Sequence, residues 1–150
     1  MKKVQIIFSS IGGNTALVVE KVSQTLTDAG ILVNTNRVEN TDFATIFDND
    51  LVILASPTYG QGNIEEHFIP FAKQMYKLDC SSQKFALIGL GATRFYPEYL
   101  TESGAILEEF VTKIKGIQVA NTLRISGDPL KVLDKLVPSW CKKIVTALES

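Results

Sequence analysis

The chain of 150 residues has few of the residues that build metal centres or disulfide frameworks. It contains one histidine and two cysteines, Cys80 and Cys141, which are far apart and form no CxxC pattern. Distant cysteines of this kind are usually free thiols, and a single histidine excludes a site with two histidine ligands. We therefore expect no bound metal. Any histidine-dependent catalysis would rest on His67, for which the sequence offers no orienting partner.

Excess charge and long apolar runs are also missing. The chain has fifteen Lys and Arg residues and sixteen Asp and Glu residues, so its net charge is −1. This charge gives no strong attraction to nucleic acid or to a membrane surface. No apolar run reaches the roughly 18 residues of a transmembrane helix, and the run behind Met1-Lys2-Lys3 is too short for a signal peptide. We expect a cytoplasmic monomer whose single domain spans residues 1–150.

The chain does have a regular alternation of apolar runs and helical patterns. The apolar, β-branched-rich runs are residues 4–8, 31–38, 51–55, 85–90 and 117–125. Helical periodicity covers residues 15–29, 64–78, 99–115 and 129–148, and residues 42–47 suit a short helical turn. This order predicts an α/β fold, a parallel sheet with helices on both faces. Ligands of such sheets bind beyond the carboxyl ends of the strands, so the loops there are the candidate site.

The loop after the first run is the strongest local signal. It reads Ser9-Ser10-Ile11-Gly12-Gly13-Asn14-Thr15 and leads directly into a helix. Glycines let the backbone approach a ligand closely, and the N–H groups and dipole of a helix N-terminus favour an anion. The loop therefore predicts a phosphate site. The alternative is an ordinary strand-to-helix turn that Asn14 or Thr15 caps.

Two further loops carry aromatic residues. Ser56-Pro57-Thr58-Tyr59-Gly60 follows the third run, and Gly89-Leu90-Gly91 opens a loop that continues through Thr93, Arg94, Phe95 and Tyr96. A dinucleotide fingerprint would need a third glycine where Arg94 stands. Aromatic side chains on two loops beside a phosphate site are suited to enclosing a flat heteroaromatic ring. Tyr59 has the alternative role of a surface aromatic that covers the core.

Taken in order, these motifs resemble the flavodoxin family over essentially the whole chain. Residues 10–15 are similar to the family's first loop, (S/T)xTGNT, and residues 56–60 match its S-P-T-Y-G variant. Phe68-Ile69-Pro70 and the run from Leu123 to Pro129, which reads L-R-I-S-G-D-P, match two later motifs. The resemblance implies a five-stranded parallel sheet of order 2-1-3-4-5, bound FMN and electron transfer. The short chain resembles the short-chain branch of the family.

The resemblance also implies a role for each loop. The first would bind the FMN phosphate through backbone N–H groups and the Ser10 and Thr15 hydroxyls, with Asn14 assisting. Tyr59 would stack on one face of the flavin and Phe95 or Tyr96 on the other, while the Gly60 peptide would turn to flavin N5 on one-electron reduction. The predicted FMN-binding residues are Ser9, Ser10, Ile11, Gly12, Gly13, Asn14, Thr15, Ser56, Pro57, Thr58, Tyr59, Gly60, Gly89, Leu90, Gly91, Thr93, Arg94, Phe95 and Tyr96.

The function that the resemblance implies is low-potential, one-electron transfer between a reductase and an acceptor protein. The chain would not itself be an enzyme, because the flavin carries the chemistry and no protein base or nucleophile is needed. Two alternatives remain open. One is an NAD(P)H-dependent flavin or quinone reductase on the same fold. The other is a specialised activator of a metalloenzyme such as a ribonucleotide reductase.

Overall fold

The computed structural model of the protein describes residues 1–10, 12–59, 63–91 and 102–149, which form strands and helices in alternation. The strands are β1 (Lys3–Phe8), β2 (Leu32–Arg37), β3 (Leu51–Tyr59), β4 (Asn63–Ile64), β5 (Lys84–Gly91), β6 (Ile117–Gln118) and β7 (Leu123–Ser126). The α-helices are α1 (Asn14–Asp28), α2 (Phe68–Met75), α3 (Glu102–Lys113) and α4 (Leu133–Glu149). Short 3-10 turns occupy Val38–Asn40, Ile46–Asp48 and Pro129–Lys131.

The central sheet is parallel, with the order β2-β1-β3-β5 and a last position that β6 and β7 share. This arrangement confirms the predicted order 2-1-3-4-5. The short strand β4 is an addition, because it pairs antiparallel with the end of β3. Strand β3 continues to Tyr59 and is therefore four residues longer than the predicted run 51–55.

The prediction of one continuous fifth strand over residues 117–125 is wrong. Strand β6 pairs with the start of β5 and β7 with its end. The Val119 N–H still donates to the Phe85 carbonyl at 3.0 Å, and residues 120–122 then leave the ladder. The Gln118 side chain donates hydrogen bonds to the Ala120 carbonyl and to the Thr122 hydroxyl, and the Trp140 indole N–H donates to the Asn121 carbonyl at 2.8 Å. These side-chain bonds replace the ladder bonds that a continuous strand would make.

Two helix predictions also need correction. The second helix begins at Phe68 and not at residue 64, because Asn63 and Ile64 extend the sheet through β4. The last helix is preceded by a 3-10 turn at Pro129–Lys131, where the Asp128 carboxylate accepts the Leu130 N–H. The helical turn predicted at residues 42–47 is a hydrogen-bonded turn at residues 42–45, which the 3-10 turn Ile46–Asp48 follows.

Apolar side chains cover both faces of the sheet. Helices α1 and α4 pack on one face of the sheet, and α2 and α3 contribute to the core on the other face. Successive residues of β3 point to opposite layers: Ile53 joins the α1 and α4 layer, and Leu54 joins the α2 and α3 layer. Burial on both faces is the reason why the central strands read as nearly continuous apolar runs.

Two expectations from composition can be compared with the structure. Cys80 and Cys141 are buried free thiols, as expected, and burial raises the pKa of Cys141 to about 12. None of the described helices has the length and apolar character needed to cross a membrane.

Candidate functional site

Three loops that the sequence singled out begin side by side at the carboxyl edge of the sheet. Phe8 lies opposite Ala55 in the β1–β3 pair, and the Ser9 N–H donates to the Ala55 carbonyl at 3.1 Å. One strand further on, Ser56 lies opposite Gly89. Strands β2 and β3 lie on opposite sides of β1, so the strand order reverses at this point. A crevice at such a switch point is where open α/β sheets bind ligands.

The turn between β1 and α1 depends on two glycines. Gly12 has φ 81° and Gly13 has φ 89°, in the left-handed region that costs other residues about 1–2 kcal/mol each. Helix α1 then starts at Asn14, and the Ser10 hydroxyl accepts the Ala16 N–H at 3.3 Å. The N-terminus of the helix therefore lies at the carboxyl edge of β1. Ile11 is outside the described residues.

Two buried hydroxyls of this turn have no hydrogen-bond partner in the described part of the chain. They belong to Ser9 and Thr15, which are each only 1% exposed. A buried polar group without a partner costs about 1–3 kcal/mol, so native proteins seldom retain one without a reason. A ligand anion at the start of α1 would accept hydrogen bonds from both hydroxyls. The two hydroxyls therefore make this turn a candidate anion-binding site.

Arg37, at the end of β2, lies beside the same turn and was not among the predicted site residues. Its Nη2 donates to the Ser10 carbonyl at 2.7 Å, and its guanidinium lies 5.7 Å from the centroid of the Phe8 ring. It also forms an ion pair with Glu39 at 3.4 Å. The only signal in the sequence was a basic residue at the end of a polar edge strand. Arg37 adds positive charge next to the turn and fixes the Ser10 carbonyl.

The last residues of β3 use their hydroxyls within the protein. Ser56 is fully buried, and its hydroxyl donates to the Pro57 carbonyl at 2.9 Å and accepts the Glu65 N–H at 3.4 Å. The Thr58 hydroxyl bonds to Ser103. The Ser56 hydroxyl proton is therefore already used within the protein and is not available to a ligand. The backbone of Tyr59 ends β3, whereas its side chain and Gly60 are outside the described part of the chain.

The loop after β5 is described only where it begins. Gly89, Leu90 and Gly91 are the last three residues of the strand, and the Gly91 carbonyl accepts the Gly127 N–H at 3.0 Å. Strand β7 pairs with the same part of β5. The remaining predicted residues of this loop, Thr93, Arg94, Phe95 and Tyr96, are outside the described residues.

The family model for flavodoxin matches residues 6–140, a range that is most of the chain and includes the sequences of all three strand-end loops. The chain belongs to the flavodoxin family. The resemblance drawn from the motifs is thereby confirmed, and family membership supports FMN as the cofactor.

Individual flavodoxins align over almost the full chain. The flavodoxin of Nitratidesulfovibrio vulgaris (strain DSM 19637 / Miyazaki F) is 28% identical over 151 residues, covering 99% of this chain and 100% of its own. A probable flavodoxin 2 of Bacillus subtilis (strain 168) is 25% identical, covering 86% of this chain and 85% of its own. Each match covers most of this chain and most of the relative.

Solved flavodoxin structures share the fold at lower identity. A short-chain flavodoxin associated with a bacterial microcompartment has a TM-score of 0.89 at 20% identity, with 99% of both chains covered. The flavodoxin of Fusobacterium nucleatum, solved with bound flavin mononucleotide, has a TM-score of 0.81 at 19% identity and covers 97% of this chain and 98% of its own. These likenesses establish a flavodoxin fold.

Near the second loop, the structure also places a buried carboxylate, that of Glu65, next to His67. Glu65 is fully buried, and its carboxylate accepts the backbone N–H of His67 at 2.9 Å and contacts His67 Nδ1. The hydrogen bond from Glu65 and then its charge raise the pKa of His67, with smaller contributions from Glu39 and Glu66. The expectation that His67 lacks an orienting partner is therefore wrong. The Glu-x-His spacing was the available signal.

Proposed function

We propose that this flavodoxin binds FMN at the carboxyl edge of its sheet and carries single electrons at low potential between redox proteins. The observation that carries the proposal is the pair of buried, unpartnered hydroxyls of Ser9 and Thr15 at the start of α1. The full-length match to the N. vulgaris flavodoxin and the fold shared with the FMN-containing F. nucleatum protein support the choice of ligand.

The phosphate of FMN is assigned to the turn between β1 and α1. The Ser9 and Thr15 hydroxyls would donate to the phosphate oxygens, together with the backbone N–H groups at the start of the helix. The positive end of the α1 dipole and the Arg37 guanidinium would both favour its negative charge. Asn14 is the first residue of α1 and is placed to assist.

The flavin ring is assigned to the space beside the ends of β3 and β5. Residues 56–58 and 89–91 would line it mainly through their backbone, because the described hydroxyls of Ser56 and Thr58 already have protein partners. Stacking by Tyr59 and by Phe95 or Tyr96, and the role of Gly60, stay predictions from the sequence. When bound, FMN supplies the ring that accepts and releases electrons, so the protein needs only to bind, orient and shield it.

We also propose that the protein is cytoplasmic, monomeric and a single domain, and that it has no nucleic-acid partner. The alternative functions are an NAD(P)H-dependent flavin or quinone reductase and an activator of a metalloenzyme. A rapid loss of flavin absorbance on mixing the purified holoprotein with NADPH alone would favour the reductase; we expect little change until a partner reductase is added.

The phosphate assignment is tested by Thr15→Val, which removes a hydroxyl and nearly preserves the shape of the side chain. We expect the FMN dissociation constant to rise about tenfold, the equivalent of ~1.4 kcal/mol, because a hydrogen bond to a charged group is lost. The stability of the apoprotein should not fall, since the hydroxyl has no protein partner there. Fluorescence titration and urea unfolding measure the two quantities.

The matched control is Ser139→Ala, which removes an exposed hydroxyl from α4. It should change neither quantity. Unchanged FMN affinity in Thr15→Val, or an apoprotein that it clearly destabilises, would contradict the assignment of Thr15 to the phosphate.

A further inference from the structure

Ser103 connects α3 to the strand end that leads into the second loop. It is the second residue of α3 and is fully buried. Its N–H donates to the Thr58 hydroxyl oxygen at 3.1 Å, and the Thr58 hydroxyl donates back to Ser103 Oγ at 3.0 Å. The first N–H groups of a helix have no partner within it. Thr58, from another element, therefore caps α3.

The Ser103 hydroxyl also reaches the backbones of two neighbouring strands. It donates to the Ser56 carbonyl of β3 at 3.0 Å, and the Leu90 carbonyl of β5 lies 3.4 Å away as a second acceptor. Pro57 and Leu90 are opposite each other in the β3–β5 pair. Ser56, Thr58, Leu90 and Ser103, here called the Ser103 cluster, thus join one helix to the ends of two strands.

Close backbone packing fixes the distance between α3 and β5. A Cβ atom at Gly89 would lie 2.7 Å from the backbone nitrogen of Gly104. Cβ atoms in proteins essentially never come this close to a nonbonded heavy atom. A Cβ atom at Gly104 would lie 3.3 Å from the Thr122 methyl group. Glycine at position 89 lets α3 come near enough for Ser103 to reach both strands.

We propose that Ser103 is a positioning residue of the flavin site. Among the described residues its hydrogen bonds go to Ser56, Thr58 and Leu90, so its effect on a ligand would pass through the ends of β3 and β5. The inference rests on the proposed function, because these strand ends matter for redox chemistry only if they line the flavin ring. Hydrogen bonds and peptide dipoles next to a flavin tune its electronic properties, so a shift of either strand end changes both FMN affinity and reduction potential.

The test begins with the apoprotein and the variant Ser103→Ala. Amide hydrogen exchange should become faster in residues 56–59 and 88–91 and at the start of α3, by about fivefold to tenfold for the loss of one or two hydrogen bonds. The control is Thr112→Ala in the same helix, because the Thr112 hydroxyl donates to the Glu108 carbonyl of its own helix. It should leave exchange in these segments unchanged.

The second step uses the FMN-loaded proteins. We expect Ser103→Ala to raise the FMN dissociation constant several-fold, up to about tenfold. We also expect Ser103→Ala to shift the reduction potential of the bound flavin. A substitution that affected only the stability of the fold would leave this potential unchanged. Thr58→Val removes the other side of the same hydrogen-bond pair, and the double variant should change affinity by less than the sum of the two single changes.

Each result decides a separate point. Unchanged exchange in Ser103→Ala overturns the Ser103 cluster as a restraint on the strand ends. Faster exchange with unchanged affinity and potential overturns the positioning role. A wild-type protein that binds no FMN contradicts the proposed function and the positioning role together, whereas the exchange experiment still decides whether the cluster restrains the apoprotein. If Ser103→Ala does not fold, Thr58→Val alone provides the same measurements.

Discussion

Two groups of hydroxyls lie at the carboxyl edge of the sheet, and they differ in whether protein groups satisfy their hydrogen bonds. In the first turn, Ser9 and Thr15 have no partner in the described part of the chain. Beside the next two strands, Ser56, Thr58 and Ser103 form hydrogen bonds with one another or with backbone groups. The difference separates two functions: groups without partners are available to a ligand, whereas groups with partners fix the protein around it.

The largest effect on the unfolding free energy is expected at Gly89, which packs closely against α3 beside the hydroxyls that have protein partners. Gly89→Ala places a Cβ atom 2.7 Å from the Gly104 backbone nitrogen, and backbone cannot rotate away. We expect a loss of about 2–3 kcal/mol in the unfolding free energy of the apoprotein, measured by urea denaturation. Gly104→Ala is the comparison, because its nearest neighbours are side chains and alanine favours a helix. An equal loss in both variants would contradict the packing argument.

The same substitution in the two regions should have different effects on the apoprotein. Thr58→Val leaves the buried N–H of Ser103 without an acceptor, so we expect a loss of about 1–3 kcal/mol in unfolding free energy. Thr15→Val removes a hydroxyl that has no partner, so the unfolding free energy should stay within about 0.5 kcal/mol or rise. Equal losses in parallel urea unfolding curves would mean that the two regions do not differ as described.

Loss of the Arg37 side chain should lower FMN affinity by less than loss of the Thr15 hydroxyl does. Arg37→Gln removes a positive charge and the 2.7 Å bond to the Ser10 carbonyl. Because this side chain is partly exposed and salt screens it, we expect FMN affinity to fall only about threefold at low ionic strength. The difference from wild type should shrink when the titration is repeated at high salt. A salt-independent difference would show that the charge is not the cause.

The smallest expected effect concerns His67 and Glu65, behind the second loop. The pKa of His67 is raised, first by its hydrogen bond to Glu65. This pair therefore stabilises the folded state fully below the unfolded pKa of about 6.5, and the contribution is lost as the pH rises through the higher folded pKa. Urea unfolding of wild type and His67→Gln should differ most at acidic pH and converge above neutrality. A difference that grows with pH would contradict the interaction.

Much of the fold was predictable because its signals are local. Continuous apolar runs identified the buried strands, and glycines between a strand and a helix identified the first turn. The prediction was wrong at the fifth strand, where Gln118 and Trp140 bond to residues 120–122 in place of the ladder. It was also wrong at the start of α2, where β4 pairs with β3. Both errors arose from contacts that follow from the tertiary arrangement.

The sequence by itself determined that an α/β chain of this family carries Ser, Thr and Gly at three strand ends. It did not reveal which of the Thr15 and Thr58 hydroxyls has a protein partner, since the motifs assigned both residues to loops at strand ends. Only the tertiary structure decided that Ser103 bonds to Thr58 and that Thr15 stays without a partner. The physical reason is that a hydroxyl's hydrogen bonding depends on the groups that folding brings within about 3 Å, and these lie far away in the chain.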